Sequence, residues 1–131
     1  MFLDNSGLHV IFHSKEREHE AAVSLFGGAG PKLTHSYILT ELVALAIARG
    51  LSRAGVLSFV RSLLAHPEVQ VVWVDQRLHL EAMELLEHRP DKSWSLCDAV
   101  SFVLMSQHRV TDALTTDHHF EQAGFVRLLR P

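Results

Sequence analysis

Apolar positions in this chain switch repeatedly between the two-residue period of strands and the 3.6-residue period of helices. The short run Met1–Leu3 meets Asp4-Asn5-Ser6-Gly7, which reads as a strand ending in a turn. Gly7–Phe12 and Glu16–Phe26 have helical spacing, and Gly27, Gly28, Gly30 and Pro31 close that unit. Lys32–His35 is a short strand, Ser36–Arg49 a helix stopped by Gly50, and Ser52 caps a helix to about Ala65. Val69–Val74 is a β-branched strand, and Asp75 caps the helix carrying Leu78, Ala82, Leu85 and Leu86. Ser95 opens a helix to about Gln107. Ala113–Thr116 is a strand, His118–Ala123 a helical turn, and Phe125–Leu129 a last strand. Alternating strands and helices predict a parallel sheet covered on both faces.

Composition narrows this little. The 131 residues suit one domain spanning 1–131, and 47% apolar with 21% charged is globular composition. Cys97 is the single cysteine, which excludes an intrachain disulfide and argues against a cysteine-based zinc site. The first residues lack a signal-peptide pattern, and the longest apolar stretch, Leu42–Ala48, is far too short for a membrane span. The expectation is a cytoplasmic chain with no membrane contact. A formal charge of −3 is unusual for a nucleic-acid binder, but committing four carboxylates to metal leaves +1 on the rest.

Open parallel sheets bind ligands beyond the carboxyl ends of their strands, which sorts the acids. Asp4 lies just past the first strand and Asp117 just past the fourth; either also reads as a helix cap. Asp112 begins that fourth strand, roughly 15 Å from Asp117 at 3.3 Å per residue, and is set aside. Glu41 has Tyr37, Ile38, Ala44 and Leu45 as helical neighbours, so it reads as a buried carboxylate needing a partner or a cation, the alternative being that the helix's single polar stripe runs through it. Asp98 follows Ser95 by three residues as in a capping box, and a helix N-terminus also keeps a carboxylate ionised. Asp75 reads as a plain cap and Asp91 as a solvated loop residue.

Together these segments form a pattern: Leu3-Asp4-Asn5-Ser6, Thr40-Glu41-Leu42, Ser95-Leu96-Cys97-Asp98-Ala99-Val100-Ser101-Phe102, and Thr115-Thr116-Asp117-His118-His119-Phe120 running on to Phe125. It resembles the PIN-domain family, especially the VapC-type toxins of bacterial toxin–antitoxin pairs, over nearly the whole chain. The resemblance implies a three-layer α/β/α sandwich with a central parallel sheet. It also implies a Mg²⁺- or Mn²⁺-dependent endoribonuclease, a cognate antitoxin and a homodimer. By position, Asp4, Glu41, Asp98 and Asp117 match the family's metal-binding acids, and Ser6 the small hydroxyl residue supporting the first. Asn5 stands where threonine is commoner.

All-oxygen ligands suit hard ions, and by analogy with other metal nucleases hydrolysis leaves a 5′-phosphate and a 3′-hydroxyl. The competing readings are a PIN nuclease of RNA processing, a binding module without turnover, and a rival use of His118-His119 or of His9 and His13, as transition-metal ligands or as acid and base in a metal-free ribonuclease. The last is disfavoured because adjacent histidines are expected to face apart, and chelation separates it from the carboxylate enzyme. The helices Tyr37–Ala48 and Val56–Leu64 are candidates for an antitoxin groove and dimer face. Arg49, Arg53, Arg61, Arg89 and Lys92 are candidate phosphate contacts.

Overall fold

The structure, a computed structural model, describes residues 1–130. Its elements, in chain order, are β1 (Phe2–Leu3), α1 (Asn5–Phe12), α2 (His19–Gly27), β2 (Lys32–His35), α3 (Ser36–Ala48) and α4 (Arg53–Ala65). Then follow β3 (Val69–Val72), α5 (Gln76–His88), α6 (Leu96–His108), β4 (Asp112–Leu114), α7 (His119–Gln122) and β5 (Val126–Arg127). The five strands pair in parallel in the order β3-β2-β1-β4-β5. Helices α1–α4 pack on one another, as do α5–α7, giving the expected α/β/α arrangement.

Strand order decides where a site can form. The chain builds β2 and β3 on one side of β1, then crosses to place β4 on the other. The carboxyl ends of β1 and β4 therefore flank a topological switch point. Asp4 and Asp117 follow those two ends, whereas Asp112 opens β4 at the opposite edge, where it is exposed.

Several boundaries differ from the pattern-based expectation, each for a local reason. Helix α1 starts at Asn5 rather than Gly7, because Asp4 is extended (φ −88°, ψ 159°) and its carbonyl already accepts from Leu8 N. Helix α2 starts at His19, since residues 13–19 form turns, His13 accepting from Glu16 N and Glu16 from His19 N. Strand β3 stops at Val72, and Val74 N donates to Ser36 Oγ instead of a neighbouring strand. Strand β4 stops at Leu114, and Thr116 N donates to Ser6 Oγ. Strand β5 is confined to Val126–Arg127.

The core explains why the site's supports are rigid. Phe2, Leu3, Leu33, Ala113 and Leu114 bury the central strands. Phe120 of α7 is fully buried against Phe2 and edge-on to Phe102 of α6, with the two ring centroids 5.0 Å apart. That contact clamps the short α7 to the sheet. Helix α1 approaches β4 so closely that a Cβ on Gly7 would lie 2.1 Å from the Leu114 carbonyl oxygen. Among the described residues, no helix is long and apolar enough to cross a membrane.

Candidate active site

Asp4 directly follows β1, with 6% of its surface exposed. Its side chain does not cap α1. Instead Oδ2 accepts from Ser6 Oγ at 2.8 Å and from Thr115 Oγ1 at 2.7 Å. The two hydroxyls also accept, Ser6 from Thr116 N and Thr115 from Asp117 N, both at 3.0 Å. One carboxylate thereby ties the start of α1 to the loop after β4. Burial raises the Asp4 pKa to about 6; the hydroxyl bonds oppose that rise, and the negative charge of Asp98 adds to it.

Asp98 occupies the first turn of α6, where its capping box with Ser95 is fully formed. The carboxylate also faces the cleft, with Oδ2 3.0 Å from His119 Nδ1. Capping and site roles coexist in this residue. Helix α6 is anchored beneath it by His35, fully buried at the end of β2. His35 Nε2 lies 2.9 Å from Ser101 Oγ, which donates to the Cys97 carbonyl. Burial holds the His35 pKa down to about 3, so the imidazole is neutral at physiological pH; a backbone hydrogen bond at Cys97 opposes the shift.

Asp117 lies one residue before the N-cap of α7, His118, and accepts from His119 N at 2.9 Å across the turn; its second oxygen lies 3.5 Å from His119 Nδ1. Glu41 departs from expectation, for it is exposed rather than buried. Helix α3 is apolar on nearly every side, and its buried stripe is Ile38, Leu39, Leu42 and Ala46. Tyr37 and Leu45, which make Glu41 look buried in sequence, are only half-buried, and Ala44 is exposed. Its carboxyl pKa is nonetheless raised, first by partial desolvation and then by Asp98, against a hydrogen bond from Cys97. The buried Cys97 thiol is pushed far up, first by burial, then by the charges of Glu41 and Asp4, with Asp98 adding less. The charges of Asp4, Glu41 and Asp98 thus all bear on one thiol, and His119 links Asp98 to Asp117.

Three participants were not singled out by sequence. Thr115 looks like an ordinary strand residue, and only its place two residues before Asp117 distinguishes it. Cys97 adjoins Asp98. His119 was raised only with a rival mechanism, yet its Nδ1 touches both Asp98 and Asp117. The expectation that His118 and His119 face apart is overturned. Their ring centroids are 4.7 Å apart and both Nδ1 atoms face Asp117. Several candidate phosphate contacts are already paired within the chain, Arg49 with His9 and Glu16, and Arg89 and Lys92 with Asp91.

A sequence profile of the PIN domain matches residues 1–126. The chain belongs to the PIN-domain family. Within that family it is 28% identical over 129 residues to the 23S rRNA-specific endonuclease VapC20 of two Mycobacterium tuberculosis strains, CDC 1551 and H37Rv. The alignment covers 98% of this chain and 97% of each relative. The crystal structure of M. tuberculosis VapC20, described as a sarcin–ricin-loop-cleaving toxin, superposes with a TM-score of 0.87 at 26% identity. That superposition covers 99% of this chain and 98% of the other. This PIN domain therefore shares fold and length with a toxin endonuclease, and the acidic cleft lies at the switch point of the sheet.

Proposed function

We propose that this PIN domain is a metal-dependent endoribonuclease and the toxin of a toxin–antitoxin pair. The observation that carries the reading is the buried Asp4 carboxylate, charged against Asp98 and held in place by two hydroxyls rather than by a cation of the chain. A bound divalent cation relieves that repulsion. The donors are carboxylate oxygens, which fit Mg²⁺ or Mn²⁺. When bound, such an ion lowers the pKa of a water molecule and stabilises negative charge on the phosphate.

Asp4, Glu41 and Asp98 are the principal ligands in this reading. Asp117 orients the attacking water or holds a second ion. Ser6 and Thr115 fix the carboxylate of Asp4, and Thr115 also fixes the backbone of Asp117. Hydrolysis leaves 5′-phosphate and 3′-hydroxyl ends.

The relatives' action on 23S rRNA makes ribosomal RNA the first substrate to test. Total RNA incubated with Mg²⁺ is expected to be cut at mapped, discrete sites, and EDTA is expected to stop the reaction. Asp98→Asn is expected to lower the rate at least about 100-fold, beyond the usual effect of losing a partner one step removed from a metal. Full activity in that variant, or cleavage in EDTA, overturns the reading.

A groove between α3 and α4 supports a protein partner. It is lined by Leu39, Val43, Val60, Leu64 and Trp73, and Trp73 is 66% exposed. An unpartnered apolar surface of this kind favours association, as an antitoxin segment or a second protomer requires. The toxin assignment predicts a small antitoxin-sized reading frame immediately upstream, and its absence would count against that assignment. Trp73→Glu is expected to weaken copurification with the product of that frame while leaving RNA cleavage intact. Unchanged copurification removes this groove from the interface.

A further inference from the structure

The carboxylate reading leaves the histidine pair at the head of α7 unused. Asp117, His118 and His119 have ligating atoms that all lie within 4.8 Å of one another. His118 Nδ1 is 3.7 Å from Asp117 Oδ1, and His119 Nδ1 is 3.5 Å from Asp117 Oδ2. Asp98 Oδ2 is 3.0 Å from His119 Nδ1. Donors held about 2.1 Å from one ion stand about 3.4 Å apart in a tetrahedron and about 3.0 Å apart in an octahedron. The Asp98 spacing equals the octahedral value, and the two spacings to the Asp117 oxygens lie slightly beyond the tetrahedral one.

The turn that carries these donors is held from three sides. Phe120 is locked in the core, Thr115 holds Asp117 N, and Arg127 donates to the Thr116 carbonyl and pairs with Glu121 at 2.8 Å. Little rearrangement is needed to gather the donors around an ion. The His118 ring is 65% exposed and so open to a solvated cation, whereas His119 is 19% exposed.

We propose that Asp117, His118 and His119 form a second cation site, with Asp98 as a neighbouring donor, that takes a borderline transition metal such as Zn²⁺. Two imidazole nitrogens favour such an ion over Mg²⁺, whose preferred ligands are oxygens. Because Asp98 and Asp117 also belong to the carboxylate set, occupancy of this site withdraws two acids from cleavage, and Zn²⁺ inhibits. That inhibition rests on the magnesium-dependent reading above; the binding itself does not.

The test uses the full chain without an affinity tag, Co²⁺ as a spectroscopic substitute for Zn²⁺, and circular dichroism to show that each variant is folded. Wild type is expected to bind one Co²⁺ with the intense visible absorption of a four- or five-coordinate, nitrogen-containing site. His118→Ala, at an exposed position, is expected to weaken that binding about 10-fold or more. It is also expected to raise by a similar factor the Zn²⁺ concentration that halves cleavage in excess Mg²⁺. Asp4→Asn is expected to lose cleavage and keep the cobalt spectrum. Wild-type affinity and spectrum in folded His118→Ala, or a weak octahedral spectrum in wild type, overturns the site. Persistence of cleavage in EDTA overturns the magnesium-dependent reading and leaves the cobalt result standing, so the two failures are distinguishable.

Discussion

Asp4→Asn is expected to abolish RNA cleavage and, at neutral pH without metal, to melt at a higher temperature than the wild type. Cleavage is lost because the most buried acid of the cleft no longer carries charge for a cation. Stability rises for the same electrostatic reason. Burial lifts the Asp4 pKa from 3.8 to about 6, so the folded protein binds a proton that the unfolded chain releases between those values. Stability therefore falls as pH rises from about 4 to about 6, and above that the ionised side chain costs about 3 kcal/mol. Asparagine avoids that cost, and its Oδ1 can still accept from Ser6 and Thr115.

The expected gain is several degrees, and it should shrink towards pH 4, as Asp4 becomes protonated in both states. His35 has the opposite slope. Its pKa is lowered, so below about pH 6.5 the unfolded chain takes up a proton that the folded one refuses, and stability is lost towards about pH 3. The two groups partly cancel in the wild type. Removing Asp4 should leave a steeper acid-side decline. Millimolar Mg²⁺ should raise the melting temperature of wild type and not of Asp4→Asn. Thermal melts across pH 4–8, with and without Mg²⁺, check all of these outcomes. A metal-free variant no more stable than wild type at pH 7 would show that ionised Asp4 is not destabilising.

Gly7→Ala is expected to be the most damaging single methyl addition to the fold. Its Cβ would meet a backbone carbonyl, Leu114 O, at 2.1 Å, and a carbonyl inside the central sheet has no rotamer to yield. Relief requires α1 to move off β4. That movement also breaks the bonds from Thr115 to Asp4 and from Thr116 N to Ser6. A loss of about 3 kcal/mol or more is expected, the upper end of overpacking effects and a large fraction of a domain's stability. Gly27→Ala is the control, since nothing lies within 4 Å of its added Cβ. Urea unfolding of the pair measures the difference, and equal midpoints would show that α1 and β4 separate freely.

The acidic cleft was partly legible before any coordinates, and its four acids were not equally so. Family membership and the parallel α/β architecture follow from the order of apolar runs and from Ser95–Phe125, because local patterns survive in sequence without knowledge of distant neighbours. Asp112 and Asp117 separate by strand direction alone, since a parallel sheet puts successive strand ends on one edge. Capping by Asp98 is likewise written in the three-residue spacing from Ser95.

Glu41 misled for a definite reason. A helix apolar on all sides does not reveal which stripe is buried, and packing left this residue exposed beside the cleft rather than in the core. Thr115 and His119 were invisible as supports because their partners lie far away in the chain: Thr115 reaches Asp4 across 111 positions, and His119 reaches Asp98 across 21. Sequence by itself determined the family, the fold class and which acids stand at strand and helix ends. Only the tertiary structure decided that Asp4 is buried and held by hydroxyls rather than capping a helix, because desolvation and cross-chain hydrogen bonds exist only once α1 and β4 are packed together.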